Sequence, residues 1–266
     1  MEERRPEHAF TAVDEQADPS EWIDVLDKVR QEPTYAAYKS RVAELLRPRT
    51  GGRYLEVGAG TGADALALAS RFGVDVVGVD VSRTMVDEAR RRGLREARVA
   101  NAEALPFGDS QFDGCWADRT FQHLADPETA LAEMARVTKT GGAIVVVDPD
   151  YDTQVVDVAD QELARSVLRF RADHLLRNGT LAHQMGGFFI RAGLAEVEVE
   201  AATVVLRDPT ALDNAMGLRS WASSAHERGL LEAGRAQAWE RMIDDAIAHG
   251  HFLYSFTLFI TAGIRQ

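Results

Sequence analysis

Tyr54-Leu55-Glu56-Val57-Gly58-Ala59-Gly60-Thr61-Gly62 is the stretch that decides the fold, because a short apolar run with one acid leads into glycine at every second position. The run has the length of a buried strand, and a helical segment follows from Ala63 to Phe72. Glycine lets a backbone approach a ligand closely, and a helix N-terminus offers free N–H groups. The stretch therefore predicts a strand, a tight turn and a helix that together bind a nucleotide-type ligand.

The next two predicted strands supply partners for such a ligand. Val74 to Val79 is an apolar run that ends in Asp80, where a carboxylate at a strand tip can accept hydrogen bonds from both ribose hydroxyls. Ala97 to Ala100 is a third short strand, closed by Asn101-Ala102-Glu103-Ala104-Leu105-Pro106-Phe107. That closing segment places an amide, a free backbone N–H and an apolar wall at one edge, which suits an adenine ring.

Two classes of protein use this arrangement. Dinucleotide dehydrogenases combine a glycine turn with a ribose-binding acid, and Ala63 is allowed at their third glycine position. Two features favour the other class. Glu56 precedes glycines that alternate through Gly62, and about fifty residues come before the first strand.

Four motifs carry a specific resemblance. At Glu56–Gly62, Gly78–Ser82, Asn101–Phe107 and Gln122–Pro127 the sequence resembles class I S-adenosylmethionine-dependent methyltransferases. It is most similar to the small-molecule group related to ubiquinone and menaquinone methyltransferases and natural-product tailoring enzymes. The resemblance covers residues 50 to 150 closely and the remainder only by layout. It departs at Asn101, where many relatives carry Asp, although an amide oxygen can still accept from the adenine amino group.

The resemblance implies a cofactor and the residues that bind it. The cofactor is S-adenosylmethionine, which leaves as S-adenosylhomocysteine. The implied cofactor-binding residues are Glu56, Gly58, Ala59, Gly60, Gly62, Asp80, Val81, Asn101, Ala102, Glu103, Asp118 and Tyr35.

Strands and helices alternate along the middle of the chain, which predicts a parallel sheet covered by helices on both faces. The expected fold is a doubly wound, Rossmann-like α/β sheet of seven mostly parallel strands, with the last strand antiparallel. The expected helices are 62–72, 83–92 and 127–138, and the expected strands after the first are 74–79, 96–100, 112–117, 142–147, 194–207 and 252–264.

The same patterns divide the chain into three parts. Residues 1–18 are acidic and expected to be mobile. Residues 19–50 form two amphipathic helices that, by the resemblance, fold over the cofactor cleft as a lid. Residues 51–266 form the methyltransferase domain, with helical insertions at about 157–192 and 208–249 that build the substrate pocket.

Composition limits the partners. The net charge of −12 argues against nucleic acid, and the single Cys115 excludes an intramolecular disulfide. With no apolar run of eighteen residues we expect no membrane span and a cytoplasmic protein, acting as a monomer or a homodimer on a small-molecule acceptor. The histidines show no metal-ligand spacing, so we predict no metal site.

The chemistry narrows the catalytic candidates without selecting one. A sulfonium is already activated, so the protein mainly aligns and dehydrates the reactants, and a base helps only if the acceptor arrives protonated. His123 is the first candidate base, with Asp150 and Tyr151 expected beyond the fifth strand as alternatives. A purely structural role remains open for His123. Arg119 is expected either to hold a substrate carboxylate or to pair with Asp118, and Trp22 either to contact substrate or to cap the core.

The sequence therefore predicts a methyltransferase that transfers a methyl group to oxygen, nitrogen or carbon of a small organic acceptor such as a secondary metabolite. One alternative is a protein that binds the same cofactor without methylating. A nicotinamide oxidoreductase is less favoured, because the sequence shows Asn101-Ala102-Glu103 and no recognisable tyrosine and lysine pair for hydride transfer.

Overall fold

The computed structural model describes residues 13–15, 20–30, 33–209 and 216–266 of the 266-residue chain. The predicted mobile segment 1–18 lies outside these ranges except for Val13–Glu15, a single helical turn. The helices, numbered along the chain, are α1 Ser20–Arg30, α2 Pro33–Leu45, α3 Ala63–Phe72, α4 Arg83–Arg91, α5 Pro127–Val137, α6 Gln161–Phe170, α7 Met185–Arg191, α8 Ser220–Glu227 and α9 Ala233–Ala248. The strands are β1 Arg53–Val57, β2 Asp75–Asp80, β3 Glu96–Val99, β4 Phe112–Asp118, β5 Thr138–Val156, β6 Leu194–Leu206 and β7 Tyr254–Arg265.

The seven strands form one sheet in the order β3-β2-β1-β4-β5-β7-β6. Strands β1 to β5 pair in parallel, whereas β7 is antiparallel to both β5 and β6. The predicted fold, a doubly wound sheet with an antiparallel last strand, is confirmed.

Register brings the carboxyl ends of the central strands to one edge. Val57 at the end of β1 pairs with Val79 of β2 on one side and with Ala117 of β4 on the other. The acids that follow, Asp80 and Asp118, are therefore level with each other on either side of the glycine turn. Ligands of open α/β sheets bind at this edge.

Alternation along the strands divides the core into two layers. In β1, Tyr54 packs with the layer that includes α2 and α3, whereas Leu55 and Val57 pack with the layer that includes α5 and α7. Successive side chains of a strand point to opposite faces, and each fully buried aliphatic side chain contributes about 1.5–3 kcal/mol. Glu56 lies on the same face as Tyr54 and is almost completely buried.

Strand β5 is much longer than the predicted 142–147. It pairs with β7 as far as Asp150, bulges, and pairs again at Val155 and Val156. Pairing with the antiparallel last strand extends β5 beyond the end of β4, and periodicity within β5 alone does not reveal that partner. Asp150 and Tyr151 therefore lie inside the fifth strand, and the prediction that they follow it is wrong.

A side-chain cap begins α5, and both predicted insertions contain helices. Asp126 caps α5 by accepting a 3.0 Å bond from the Thr129 N–H, with Pro127 in the first turn. Residues 157–192 contain α6, a wide helical turn at Arg171–Leu175 and α7, and residues 216–249 contain α8 and α9. The start of the second predicted insertion, at 210–215, lies outside the described residues.

Candidate active site

The glycine turn between β1 and α3 is a tight, left-handed passage. Gly58, Gly60 and Gly62 have φ of 73°, 50° and 71°, a region that favours glycine. A Cβ on Gly58 would lie 2.1 Å from Thr120 Oγ1, whereas one on Gly60 would meet only Leu26 of α1, at 3.5 Å. Contact within the protein thus requires glycine at Gly58, and Gly60 leaves room beside the turn for a ligand.

Asp80 joins the turn to the tip of β2. Its Oδ2 accepts a 2.8 Å bond from the Gly60 N–H and its Oδ1 accepts a 2.9 Å bond from the Ser82 N–H. Removal from water raises the pKa of Asp80 above its ordinary value. The next residue, Val81, leaves 54 % of its surface exposed, an apolar platform beside the carboxylate.

Three carboxylates from different elements meet under the N-terminal helices: Glu56 of β1, Asp64 of α3 and Asp118 of β4. Lys39 of α2 ion-pairs with Asp64, and its Nζ lies 2.6 Å from Asp118 Oδ2. Arg30 of α1 forms a further ion pair with Asp64. Ion pairs therefore hold α1 against the start of α3, and α2 against the start of α3 and the tip of β4.

Burial and neighbouring charges shift the pKa values of the groups in this cluster. Glu56 is 3 % exposed and accepts a 3.0 Å bond from the Ala65 N–H. Burial, with the charge of Asp64 added, raises the pKa of Glu56 well above its ordinary value. Although burial opposes it, Asp118 raises the pKa of Lys39. Glu56 therefore holds its proton to higher pH than an ordinary glutamate, and Lys39 stays charged.

Tyr35, Tyr38 and Arg119 form the next layer of the site. The Tyr38 hydroxyl donates to Asp118 Oδ1 at 3.2 Å, and the rings of Tyr35 and Tyr38 meet edge to face. The Arg119 guanidinium lies 5.0 Å from the centre of the Tyr35 ring, with its Nε 3.4 Å from Asp118 Oδ1. Arg119 also has a φ of 53°, a strained value for a non-glycine residue that is common at functional sites.

The residues predicted to surround adenine form a compact turn after β3. Asn101 Oδ1 accepts a 3.0 Å bond from the Glu103 N–H, and Ala102 is buried. Glu103 Oε1 in turn accepts from the N–H groups of Ala125 and Asp126, at 3.0 and 2.9 Å. The Glu103 carboxylate thus binds the loop before α5, and Asn101 orders the turn.

Trp22 and His123 lie at separate places around this edge. Trp22 packs against Val13 and Met85, next to α4. His123 ends the short helical turn Phe121–His123 and is half-buried, with its N–H donating to Thr120 O at 3.0 Å.

Asp150 forms a contact that the sequence did not predict. Its carboxylate is completely buried, and Oδ2 lies 2.5 Å from His183 Nδ1 while also accepting from the His183 N–H at 3.0 Å. The His183 side chain is 46 % exposed. The two residues are 33 positions apart in the sequence, a separation that shows no pattern linking His183 to Asp150.

This arrangement defines a class of protein. A doubly wound sheet presents a glycine turn, a ribose-type acid and a group of carboxylates at one edge, which suits a nucleoside cofactor that carries positive charge.

Among the described residues, no helix is both long and apolar enough to cross a membrane.

Comparison with known proteins agrees with that class. A family described as a methyltransferase domain matches residues 55–146. An uncharacterised 37.1 kDa protein of transposon TN4556 from Streptomyces fradiae is 35% identical over 254 residues, covering 93% of this chain and 72% of that protein. O-methyltransferase resE of Aspergillus sclerotiorum is 32% identical over 134 residues, which is 48% of this chain and 51% of that protein. This chain thus spans about half the length of the fungal relative.

A solved structure shares the fold. Phosphoethanolamine N-methyltransferase 2 of Haemonchus contortus, in complex with phosphomonomethylethanolamine and S-adenosylhomocysteine, superposes with a TM-score of 0.60 at 19% identity, covering 97% of this chain and 60% of that one. The chain belongs to the class I S-adenosylmethionine-dependent methyltransferases, and it is an enzyme of that family whose cofactor is S-adenosylmethionine. This family assignment replaces the alternative prediction of a nicotinamide oxidoreductase.

Proposed function

We propose that this enzyme methylates a hydroxyl oxygen of a small organic acceptor, and that the Asp150–His183 pair takes the hydroxyl proton. The observation that carries the proposal is a buried carboxylate held 2.5 Å from the ring nitrogen of a histidine whose side chain is 46 % exposed. A carboxylate that accepts from Nδ1–H fixes the orientation and the tautomer of the ring, so that the other ring nitrogen presents a lone pair and can act as a base. The O-methyltransferase name of one relative supports oxygen as the accepting atom.

The residues present fit the cofactor. Asp80 has lone pairs left for ribose hydroxyls after accepting from Gly60 and Ser82, and exposed Val81 suits the face of an adenine ring. Asp118, with Glu56 and Asp64 nearby, suits the ammonium of the methionine part and the positive sulfur. When bound, the cofactor supplies an already activated methyl group, which leaves alignment and proton removal to the protein.

The position of the pair along β5 supports its role. Asp118 at the end of β4 pairs with Val147 of β5, and Asp150 lies three residues further along that strand. Three residues of strand span about 10 Å, which leaves space for a methyl group and an acceptor between Asp118 and the pair.

The proposal is tested by binding and by product analysis. We expect S-adenosylmethionine and S-adenosylhomocysteine to raise the melting temperature and nicotinamide dinucleotides to leave it unchanged, because only a ligand of the native state stabilises it. Incubation with methyl-labelled cofactor and a panel of phenols, alcohols, amines and carbon acids should place the label on a hydroxyl oxygen. Label on nitrogen or carbon would contradict oxygen methylation, and binding without turnover on any member of the panel would favour the non-methylating alternative.

A further inference from the structure

Arg171 is a buried cation without a counter-ion. Only 5 % of it is exposed, and it forms no ion pair with any part of the chain that the structure describes. A buried charge costs stability unless it is paired and hydrogen-bonded. The position therefore requires an explanation beyond packing.

Aromatic rings cover both sides of its guanidinium. The carbon at its centre lies 3.9 Å from the centre of the Tyr151 ring and 4.5 Å from the centre of the Trp221 ring. Such stacking stabilises the cation and leaves the N–H groups pointing outward in the guanidinium plane.

The nitrogen atoms of the guanidinium differ in how many hydrogen-bond partners they have. Nη1 donates to Gln154 Oε1 at 2.8 Å and approaches the Tyr254 hydroxyl at 3.5 Å. Within the described residues, Nη2 reaches only the Met216 sulfur, at 3.6 Å, which is a weak acceptor, and Nε forms no hydrogen bond. The edge formed by Nε and Nη2 thus has the geometry that binds a carboxylate through two parallel hydrogen bonds.

Arg171 also lies next to the catalytic edge of the sheet. Tyr151, which stacks on it, directly follows Asp150 in β5. β4 ends at Asp118, opposite Val147, and beyond that point the Tyr151 N–H donates to Gly179 O at 2.9 Å, so that among the described residues a loop and not a strand borders β5 there. His183 contacts Asp150 and Arg171 contacts Tyr151, so the two side chains lie on opposite faces of β5 beyond the end of β4.

We propose that Arg171 binds a carboxylate of the acceptor, so that the substrate class is a small hydroxy acid. The inference rests on the proposed function, because it places the anion next to the hydroxyl that is methylated. It adds a specificity residue to a site whose other predicted residues bind the cofactor or take the proton.

Paired ligands test the proposal in the unmodified enzyme. Benzoate, 4-hydroxybenzoate and salicylate are each compared with the corresponding amide by calorimetry, with S-adenosylhomocysteine present. We expect at least one acid to bind about tenfold or more tightly than its amide, the effect of a charge-assisted bidentate bond. Equal binding of acids and amides throughout the panel, or no binding of any acid, would overturn the proposal.

Substitutions separate a binding role from a structural one. Arg171→Met should remove the preference for the acid and leave the melting temperature of the ligand-free protein unchanged or higher, because an unpaired buried charge is lost. Arg169→Gln is the matched control, since Arg169 is an exposed cation of α6 whose Nε lies 3.4 Å from Asp173 Oδ2, and it should keep the preference. A marked fall in melting temperature for Arg171→Met, with the acid preference kept in the folded fraction of that variant, would show a structural brace instead.

The two proposals fail in different ways. Loss of S-adenosylhomocysteine binding or of methyl transfer concerns the proposed function. Methyl transfer to neutral hydroxyl compounds, with no preference for acids, leaves that function in place and refutes only the role of Arg171.

Discussion

Lys39 of α2 places its Nζ 2.6 Å from Asp118 Oδ2 at the end of β4. A lysine from a predicted lid helix thus pairs with the carboxylate that we propose as the partner of the cofactor's ammonium group. The lid and the cofactor are expected to bind the same group, so lid position and cofactor binding should depend on each other.

Lys39→Met should expose that dependence. Removing the cation leaves buried Asp118 with the Tyr38 hydroxyl and Arg119 as its remaining described partners, at an expected cost of about 3 kcal/mol in the ligand-free protein. A bound ammonium restores the partner, so S-adenosylhomocysteine should raise the melting temperature of Lys39→Met more than that of the wild type. Lys139→Met, which removes a half-exposed lysine paired with Asp113, is the control. Equal shifts in all three proteins would refute a shared site.

Asp80→Ala should weaken cofactor binding and loosen the glycine turn. Losing the charged contact to the ribose hydroxyls should cost about 2–3 kcal/mol, some 30- to 150-fold in the dissociation constant. The bonds from Gly60 and Ser82 are lost as well, so a lower melting temperature is expected. Calorimetry with S-adenosylhomocysteine measures the affinity, and Asp75→Ala at the exposed start of β2 is the control. Unaltered affinity in Asp80→Ala would rule out the ribose assignment.

Glu56 should make the free protein less stable as the pH rises. Its pKa is raised in the fold by burial and by Asp64, from an ordinary value of 4.5. The folded state therefore holds the proton to higher pH than the unfolded state, and the free energy of unfolding falls as the pH rises above 4.5 toward the folded pKa. Glu56→Gln can still accept from the Ala65 N–H and should show a shallower decline in urea unfolding between pH 5 and 8. An identical decline in wild type and Glu56→Gln would contradict a raised pKa.

The two candidate histidines should differ in their effect on turnover. His183→Gln should lower the single-turnover rate by about 10² or more and remove the acidic limb of the pH profile, with cofactor affinity unchanged. His123→Gln should cost only a few-fold, through local repacking. Asp150→Asn should reproduce the His183→Gln defect. A large loss for His123→Gln alone would return the base to the residue that the sequence favoured.

Residues 20–45 should become more protected when the cofactor site is filled. Helices α1 and α2 contact the site through Leu26 above Gly60 and through the ion pairs of Arg30 and Lys39. A closed lid slows amide exchange by reducing local opening. Hydrogen exchange followed by mass spectrometry, with and without S-adenosylhomocysteine, measures this, and α9 serves as an internal reference. Equal exchange of α1 and α2 in both states would make them a static cover.

Local sequence patterns were enough to predict the sheet and the residues at the tips of its strands. The glycine turn, Asp80 and the cap at Asp126 could be read from the sequence because each depends on neighbours within a few residues. The length of β5 was not predicted, since it depends on pairing with β7 more than a hundred residues later. Asp150 was consequently expected beyond the fifth strand, although it lies within it.

The sequence by itself determined the fold class, the order of the elements and the edge of the sheet where a cofactor binds, because periodicity and turn chemistry act over short distances along the chain. Only the tertiary structure decided which side chains meet at that edge. Folding brings together Lys39 and Asp118, which are 79 residues apart, and Asp150 and His183, which are 33 residues apart. It also places Arg171 between Tyr151 and Trp221, which are 20 and 50 residues away in the sequence. Such contacts depend on strand register and helix packing, which no local pattern encodes.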